Sequence, residues 1–178
     1  MRRALGALSA LLAGVVLAGS PARASSTPLS VEVGPQFLTQ GAARSVGGDV
    51  QPAFGLDYDF GPNLPLPVRT SFHFNYAGGS ANGGNLNEYG FGFGARLTTP
   101  IYLGAGIDVY NVNLHPLPGR VPEGATSTTG LGSDFVLGEN LLTVPGGVGL
   151  SLEARYKLVP NLDGIDPSAF GIDLRVHF

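Results

Sequence analysis

Phe170-Gly171-Ile172-Asp173-Leu174-Arg175-Val176-His177-Phe178 alternates without a break between an apolar residue and a small or polar one. A period of two belongs to an extended strand, whose successive side chains point to opposite faces. The stretch therefore reads as a strand with one face of Phe170, Ile172, Leu174, Val176 and Phe178. Its other face holds Gly171, Asp173, Arg175 and His177.

The same period recurs upstream, and eight segments follow it. They are 30–38, 50–60, 66–76, 87–97, 101–111, 130–141, 148–158 and 170–178. In the second, Val50, Phe54, Leu56, Tyr58 and Phe60 oppose Gln51, Gly55, Asp57 and Asp59. In the fourth, Tyr89, Phe91, Phe93 and Leu97 oppose Glu88, Gly90, Gly92, Gly94 and Arg96. The seventh sets Val148, Leu150, Leu152, Tyr156 and Leu158 against Gly149, Ser151, Glu153, Arg155 and Lys157. Each length is close to the roughly 9–11 residues of a tilted membrane-crossing strand. Helix is disfavoured because Gly recurs inside every segment but the third, at about 1 kcal/mol per interior Gly relative to Ala. The sixth segment is the least regular, with Glu139 on its apolar parity.

Residues 1–24 read as a cleavable export signal. Arg2 and Arg3 precede a largely apolar run from Ala4 to Ala18, and Ala22-Arg23-Ala24 supplies a small-x-small cleavage pattern. That run is short for a membrane-spanning helix, which needs about 20 residues. Residues 25–178 then form one domain. Loss of Arg2, Arg3 and Arg23 takes the formal charge from −3 to −6. Such a balance gives no basic patch for nucleic acid. The absence of Cys excludes a disulfide framework and a cysteine metal site.

Alternation fits two kinds of barrel. A soluble barrel turns its apolar face inward, and a membrane barrel turns it outward. The distribution of side chains favours the second. One face carries every Phe of the chain, which would overfill an eight-stranded interior. The other face mixes abundant Gly with long ionic side chains, a combination suited to a narrow lumen. Connection lengths also alternate. Short links are expected at 61–65, 98–100 and 142–147, and longer ones at 39–49, 77–86, 112–129 and 159–169. Short periplasmic turns with long outer loops have this arrangement. The expected fold class is all-β, an eight-stranded antiparallel up-and-down transmembrane barrel. The main rival is a soluble secreted barrel.

With its export signal and terminal strand, this pattern resembles the small outer-membrane β-barrel family that includes the OmpA transmembrane domain, OmpX and OmpW. The resemblance spans residues 30–178. It implies an outer-membrane location in a diderm bacterium, contact with outer-membrane lipids, and delivery by the β-barrel assembly machinery. Phe170, Ile172, Leu174, Val176 and the terminal aromatic Phe178 resemble that machinery's recognition signal. The chain departs from the family in lacking Trp, so any aromatic girdle is of Phe and Tyr, with Tyr76, Tyr89 and Tyr156 as candidates near the outer interface.

The leading candidate site is the set of charges on the inward parity. It comprises Glu32, Asp57, Asp59, Arg69, His73, Glu88, Arg96, Asp108, Asp134, Glu153, Arg155, Lys157, Asp173, Arg175 and His177. A tight hairpin across 61–65 places Asp57 opposite Arg69, and barrel closure brings Glu32 to Arg175 or His177. Paired in this way, the charges plug the lumen, and a gated ion path is the competing reading. Ser71 and His73 share a face, but inward placement suits hydrogen bonding better than hydrolysis. No catalytic residue, cofactor or metal site is expected. Asn161, Asp163 and Asp166 read as turn formers, and His115 as a solvated loop residue. The proline-containing loop at 112–129 is the expected surface for a loop-mediated partner. Three functions remain open at this point: a structural or loop-displaying barrel, an OmpW-like channel for small apolar molecules, and, ranked last, a lipid-modifying enzyme.

Overall fold

The computed structural model describes residues 28–60, 67–97, 99–115, 126–144, 148–161 and 164–178. The expected export signal and the link at 61–65 lie outside them. Among the described residues, eight strands form a closed barrel in sequence order. They are β1 (Leu29–Leu38), β2 (Val50–Phe60), β3 (Val68–Ala81), β4 (Gly84–Leu97), β5 (Ile101–His115), β6 (Thr126–Thr143), β7 (Gly149–Leu158) and β8 (Ala169–His177). Every neighbouring pair is antiparallel, and β8 closes on β1 with Val33 opposite Leu174 and Phe37 opposite Phe170.

The parity read from the sequence decides what faces where. Val33, Phe54, Phe72, Phe91, Ile107 and Leu174 all stand on the exposed outer surface. Glu32, Asp57, Glu88, Asp108, Glu153 and Arg175 are buried inside. This is the reverse of a water-soluble barrel, which hides its apolar face. A continuous exposed belt of this kind is stable where lipid, rather than water, surrounds it. Phe60, Phe72, Phe91 and Phe93 cluster on the belt across β2, β3 and β4, with Phe60 and Phe72 stacked at 4.4 Å between centroids.

The strands outrun the expected segments at one end. The expected loop at 77–86 is instead a continuation of β3 and β4 around a two-residue turn, Asn82–Gly83. Both turn residues have positive φ, 52° and 83°. Asn-Gly is the preferred pair for a hairpin turn of that twist. Likewise β5 runs on to His115 and β6 begins at Thr126, so the expected loop at 112–129 shrinks, and residues 116–125 lie outside the described ones. His115 ends a strand, opposite Asn85, rather than sitting in a loop.

In these extensions the polarity inverts. Outward positions become Asn85, Asn87, Asn111, Asn113 and Thr129, while inward positions become Ala77, Leu86, Val112 and Leu114, all buried. The outward amides form a collar: Asn87 donates to Asn85 at 2.5 Å, Asn113 to Asn111 at 2.6 Å and Asn111 to Thr129 at 2.9 Å. Just below it, Tyr76 and Tyr89 pair across β3 and β4 at 5.1 Å, and the Tyr76 hydroxyl donates to Asn87. Apolar-out therefore gives way to apolar-in at one level of the barrel. That level is where the surrounding solvent would change from hydrocarbon to water.

A seven-residue helix, α1 (Gly41–Gly47), sits in the β1–β2 connection at that same end. It is too short to be stable alone. Ala43 and Val46 anchor it in an apolar core with Leu38, Leu86, Tyr110, Val112, Leu114, Val159 and Ala169. This core lies at the same end of the barrel as the asparagine collar.

Two local expectations need correction. Asp57 faces His73 across β2–β3, and Asp59 faces Ser71, so Asp57 and Arg69 are not opposite each other. The register is displaced by four residues from that expectation, and the last described pair is Phe60 with Thr70. An even displacement keeps every side chain on its face, so the parity survives while the partners change. In β6, a β-bulge between Asn140 and Leu142 explains the irregular segment. There Leu141 and Leu142 are both exposed, while Asn140 Oδ1 accepts from the Ser151 hydroxyl at 2.7 Å. Glu139 is outward, flanked by Ile101 and Leu152 near the end of the strand.

Candidate functional site: the charged lumen

The inward face of the strands builds a polar interior whose centre is Arg175. This side chain is 1% exposed. Its Nη1 lies 2.8 Å from Asp57 Oδ2, 2.9 Å from Glu32 Oε1 and 3.2 Å from Glu153 Oε1, and its Nη2 donates to Ser30 Oγ at 3.1 Å. Arg155 enters from β7 and pairs with Glu32, with Glu153 at 3.2 Å and with Asp173 at 3.5 Å, while its Nη1 donates to Asn75 at 2.8 Å. Arg96 lies 3.3 Å from Asp57, 3.4 Å from Asp59 and 3.6 Å from Glu153. Arg69 reaches Asp59 at 3.5 Å. The planar guanidinium fork lets one buried cation hold several carboxylates at once, which Lys does poorly.

Toward the outer mouth a second group takes over. Lys157 pairs with Glu88, and Gln36 donates to Gln51 at 2.9 Å and to Glu88 at 3.3 Å. At the opposite rim His177 bridges two strands, with Ser151 Oγ 2.6 Å from its Nε2 and Ser30 Oγ 3.1 Å from its Nδ1. Ser71 accepts from Arg96 at 3.4 Å. His73 Nε2 lies against Asp108 Oδ1 at 2.6 Å and Asp134 Oδ1 at 3.5 Å. Thus Ser71 and His73 are both inside, and the imidazole faces carboxylates.

Residues on the inward parity that the sequence reading did not single out complete the filling. Tyr102 donates its hydroxyl to Glu153 Oε1 at 2.5 Å. Tyr110 is fully buried, and Gly90 and Gly132 flank its ring so closely that an added Cβ would come within 2.6 and 2.7 Å of it. The lumen glycines are therefore the complements of particular large side chains. Both tyrosines lie on the parity opposite Ile101 and Leu103, and strict counting along β5 finds them. Two small cavities lie in this interior, about 30 Å³ beside His73, Asp134 and Arg96, and about 20 Å³ beside Gln36, Asn75 and Lys157.

Other singled-out residues lie outside this interior. Phe170, Ile172, Leu174 and Phe178 are exposed on the outer belt, with Val176 half-buried in the same row. Asn161 accepts from the Gly164 amide at 2.9 Å and Asp166 from the Ser168 amide at 2.9 Å, while Asp163 lies outside the described residues.

No protein-family model matches the sequence, and no curated protein matches it. Solved structures do share the fold. Neisserial surface protein A is similar over 84% of this chain and 94% of its own, at 17% identity and a TM-score of 0.54. The N-terminal β-barrel domain of Pseudomonas aeruginosa OprF is similar over 89% and 100%, at 8% identity and a TM-score of 0.56. The Yersinia pestis outer membrane protein Ail aligns over 86% and 100%, at 12% identity and a TM-score of 0.47. The fold is that of the small eight-stranded outer-membrane β-barrels.

Proposed function

We propose that this chain is an integral outer-membrane β-barrel whose plugged lumen gives it a structural or loop-displaying role. The observation that carries this reading is the pairing of buried arginines with carboxylates inside an exposed apolar belt. Buried charges are costly unless paired, and a continuous aqueous path would hydrate them and remove the need for such close contacts. Side chains generally fill the interior of an eight-stranded barrel, which supports this reading. The partners that follow are outer-membrane lipids around the belt and the assembly machinery at the terminal strand. A further partner would meet the end of the barrel where β5 and β6 stop at His115 and Thr126. No catalytic role is part of this reading.

Planar-bilayer recording tests it. The purified full-length protein is expected to insert without stepwise conductance. Regular ohmic steps from the inserted wild-type barrel would overturn the plug. A second reading, passage of small apolar molecules as in OmpW-like barrels, draws on the apolar core at the outer mouth. In that case α1 must leave the mouth. A disulfide engineered between α1 and the barrel wall would then block uptake of an apolar probe, whereas a passive cap predicts no effect.

A further inference from the structure

The lumen's charges do not balance. Among the described residues, inward carboxylates outnumber inward Arg and Lys by eight to five. The excess is not spread evenly. The guanidinium cluster satisfies Glu32, Asp57, Asp59, Glu153 and Asp173, and Lys157 takes Glu88. Among the described residues, Asp108 and Asp134 have neither Arg nor Lys within 4.0 Å, and they share one ion-pair partner, His73. Asp108 is 0% exposed. One imidazole cannot balance two carboxylates, and a buried anion short of a partner is costly in a protein interior.

The geometry of the three groups points to what offsets that cost. His73, Asp108 and Asp134 come from β3, β5 and β6, and one ligand atom from each lies within 4.8 Å of the others. His73 Nε2 and Asp108 Oδ1 are 2.6 Å apart, yet neither makes an aligned hydrogen bond there. Asp108 Oδ2 and Asp134 Oδ1 also lack hydrogen-bond partners. The three groups thus face one another at close range with hydrogen-bonding capacity unused. Glycine leaves room for this grouping: a Cβ at Gly92 would strike Asp108, and one at Gly106 would strike Asp134 and come within 2.8 Å of the His73 ring.

We propose that His73, Asp108 and Asp134 form a binding site for a divalent transition cation, of which zinc is the model, inside the barrel wall. One imidazole and two carboxylates match the nitrogen and oxygen ligands that zinc takes at about 2.0–2.2 Å. Three protein ligands leave a fourth position, and the 30 Å³ cavity that touches His73 and Asp134 is large enough for about one water there. Calcium, which takes about six to eight oxygens, and magnesium, which demands near-octahedral oxygen ligation, fit this set poorly. The ion offsets the two charges of Asp108 and Asp134 and ties β3, β5 and β6 together across the lumen.

The test refolds the full chain from denaturant with or without Zn²⁺, so that entry through a closed lumen is not required. After dialysis, metal content is measured on the fraction that shows the heat-dependent gel shift of a folded barrel. Wild type is expected to retain one zinc per chain, and Co²⁺ in its place to show the visible bands of a low-coordinate site. Asp108→Asn and His73→Gln are each expected to weaken binding by about tenfold or more, whereas His115→Gln, at an exposed strand end, retains it. Asp134→Asn serves as the alternative should Asp108→Asn fail to fold. Folded wild type without stoichiometric zinc would overturn the proposal. Zinc retained unchanged in both the His73 and an aspartate variant would overturn it equally.

Discussion

Arg175→Met is expected to destabilise the barrel by about 3–5 kcal/mol, the range for breaking a buried ion pair by removing one partner. The reason is local. Arg175 touches Glu32, Asp57 and Glu153, all buried, and nothing from bulk water can replace it. Methionine fills much of the volume but leaves those carboxylates repelling one another. Arg175→Lys keeps the charge and loses the fork that reaches several acceptors, so its cost should fall between wild type and Met. Urea titration in lipid vesicles measures this, read by the heat-dependent gel shift because the chain has no Trp to report. Arg44→Met is the control. Its pairing with Asp49 is exposed at 4.0 Å, and surface pairs contribute about 0–1 kcal/mol. Equal effects at both sites would mean that the lumen network does not hold the barrel together.

Ile107→Arg should cost about 2–4 kcal/mol in a bilayer, the range for a basic residue near the midplane of a lipid face. Ile107 is 63% exposed, between Phe93 and Ser133 on the neighbouring strands. An exposed side chain with so few neighbours loses little packing on substitution. The penalty therefore comes from the surroundings, and in water it would vanish or reverse. Asn113→Arg, on the same outer row but in the amide collar, should be nearly neutral. Side-by-side urea titrations of the two variants separate the effects. A neutral Ile107→Arg would place that face in water.

Side-chain parity was legible because a period of two survives any even error in register. Outward Phe54 and inward Asp57 are placed correctly whichever residues face them. Partners were not legible. Asp57 lies against Arg96 and Arg175 rather than Arg69, because β2 and β3 pair four residues away from the register that a tight turn across 61–65 would set. Nothing in the local pattern distinguishes the two. The strand extensions were missed for a different reason. Past Tyr76 and Tyr89 the apolar residues switch to the inner parity at Ala77, Leu86, Val112 and Leu114, so a search for outward alternation stops there. The Asn82–Gly83 dipeptide was the available signal for the β3–β4 hairpin. The grouping of His73, Asp108 and Asp134 needs the register of three strands, and no spacing in the sequence encodes it. The bulge at Asn140 likewise depends on how β6 meets β7.

The claim at the centre of this account is that the outer belt faces hydrocarbon and ends at the asparagine collar. Because the chain has no Cys, single cysteines on the outer row of β5 can each carry a unique spin label. Labels at Leu103, Ala105, Ile107, Val109, Asn111 and Asn113, in vesicles, would be tested for collisions with oxygen and with a water-soluble nickel chelate. Oxygen should dominate at the first four positions and the chelate at the last two, with the change between Val109 and Asn111. Chelate access at all six would contradict the account, because it would put the apolar face of the barrel in water.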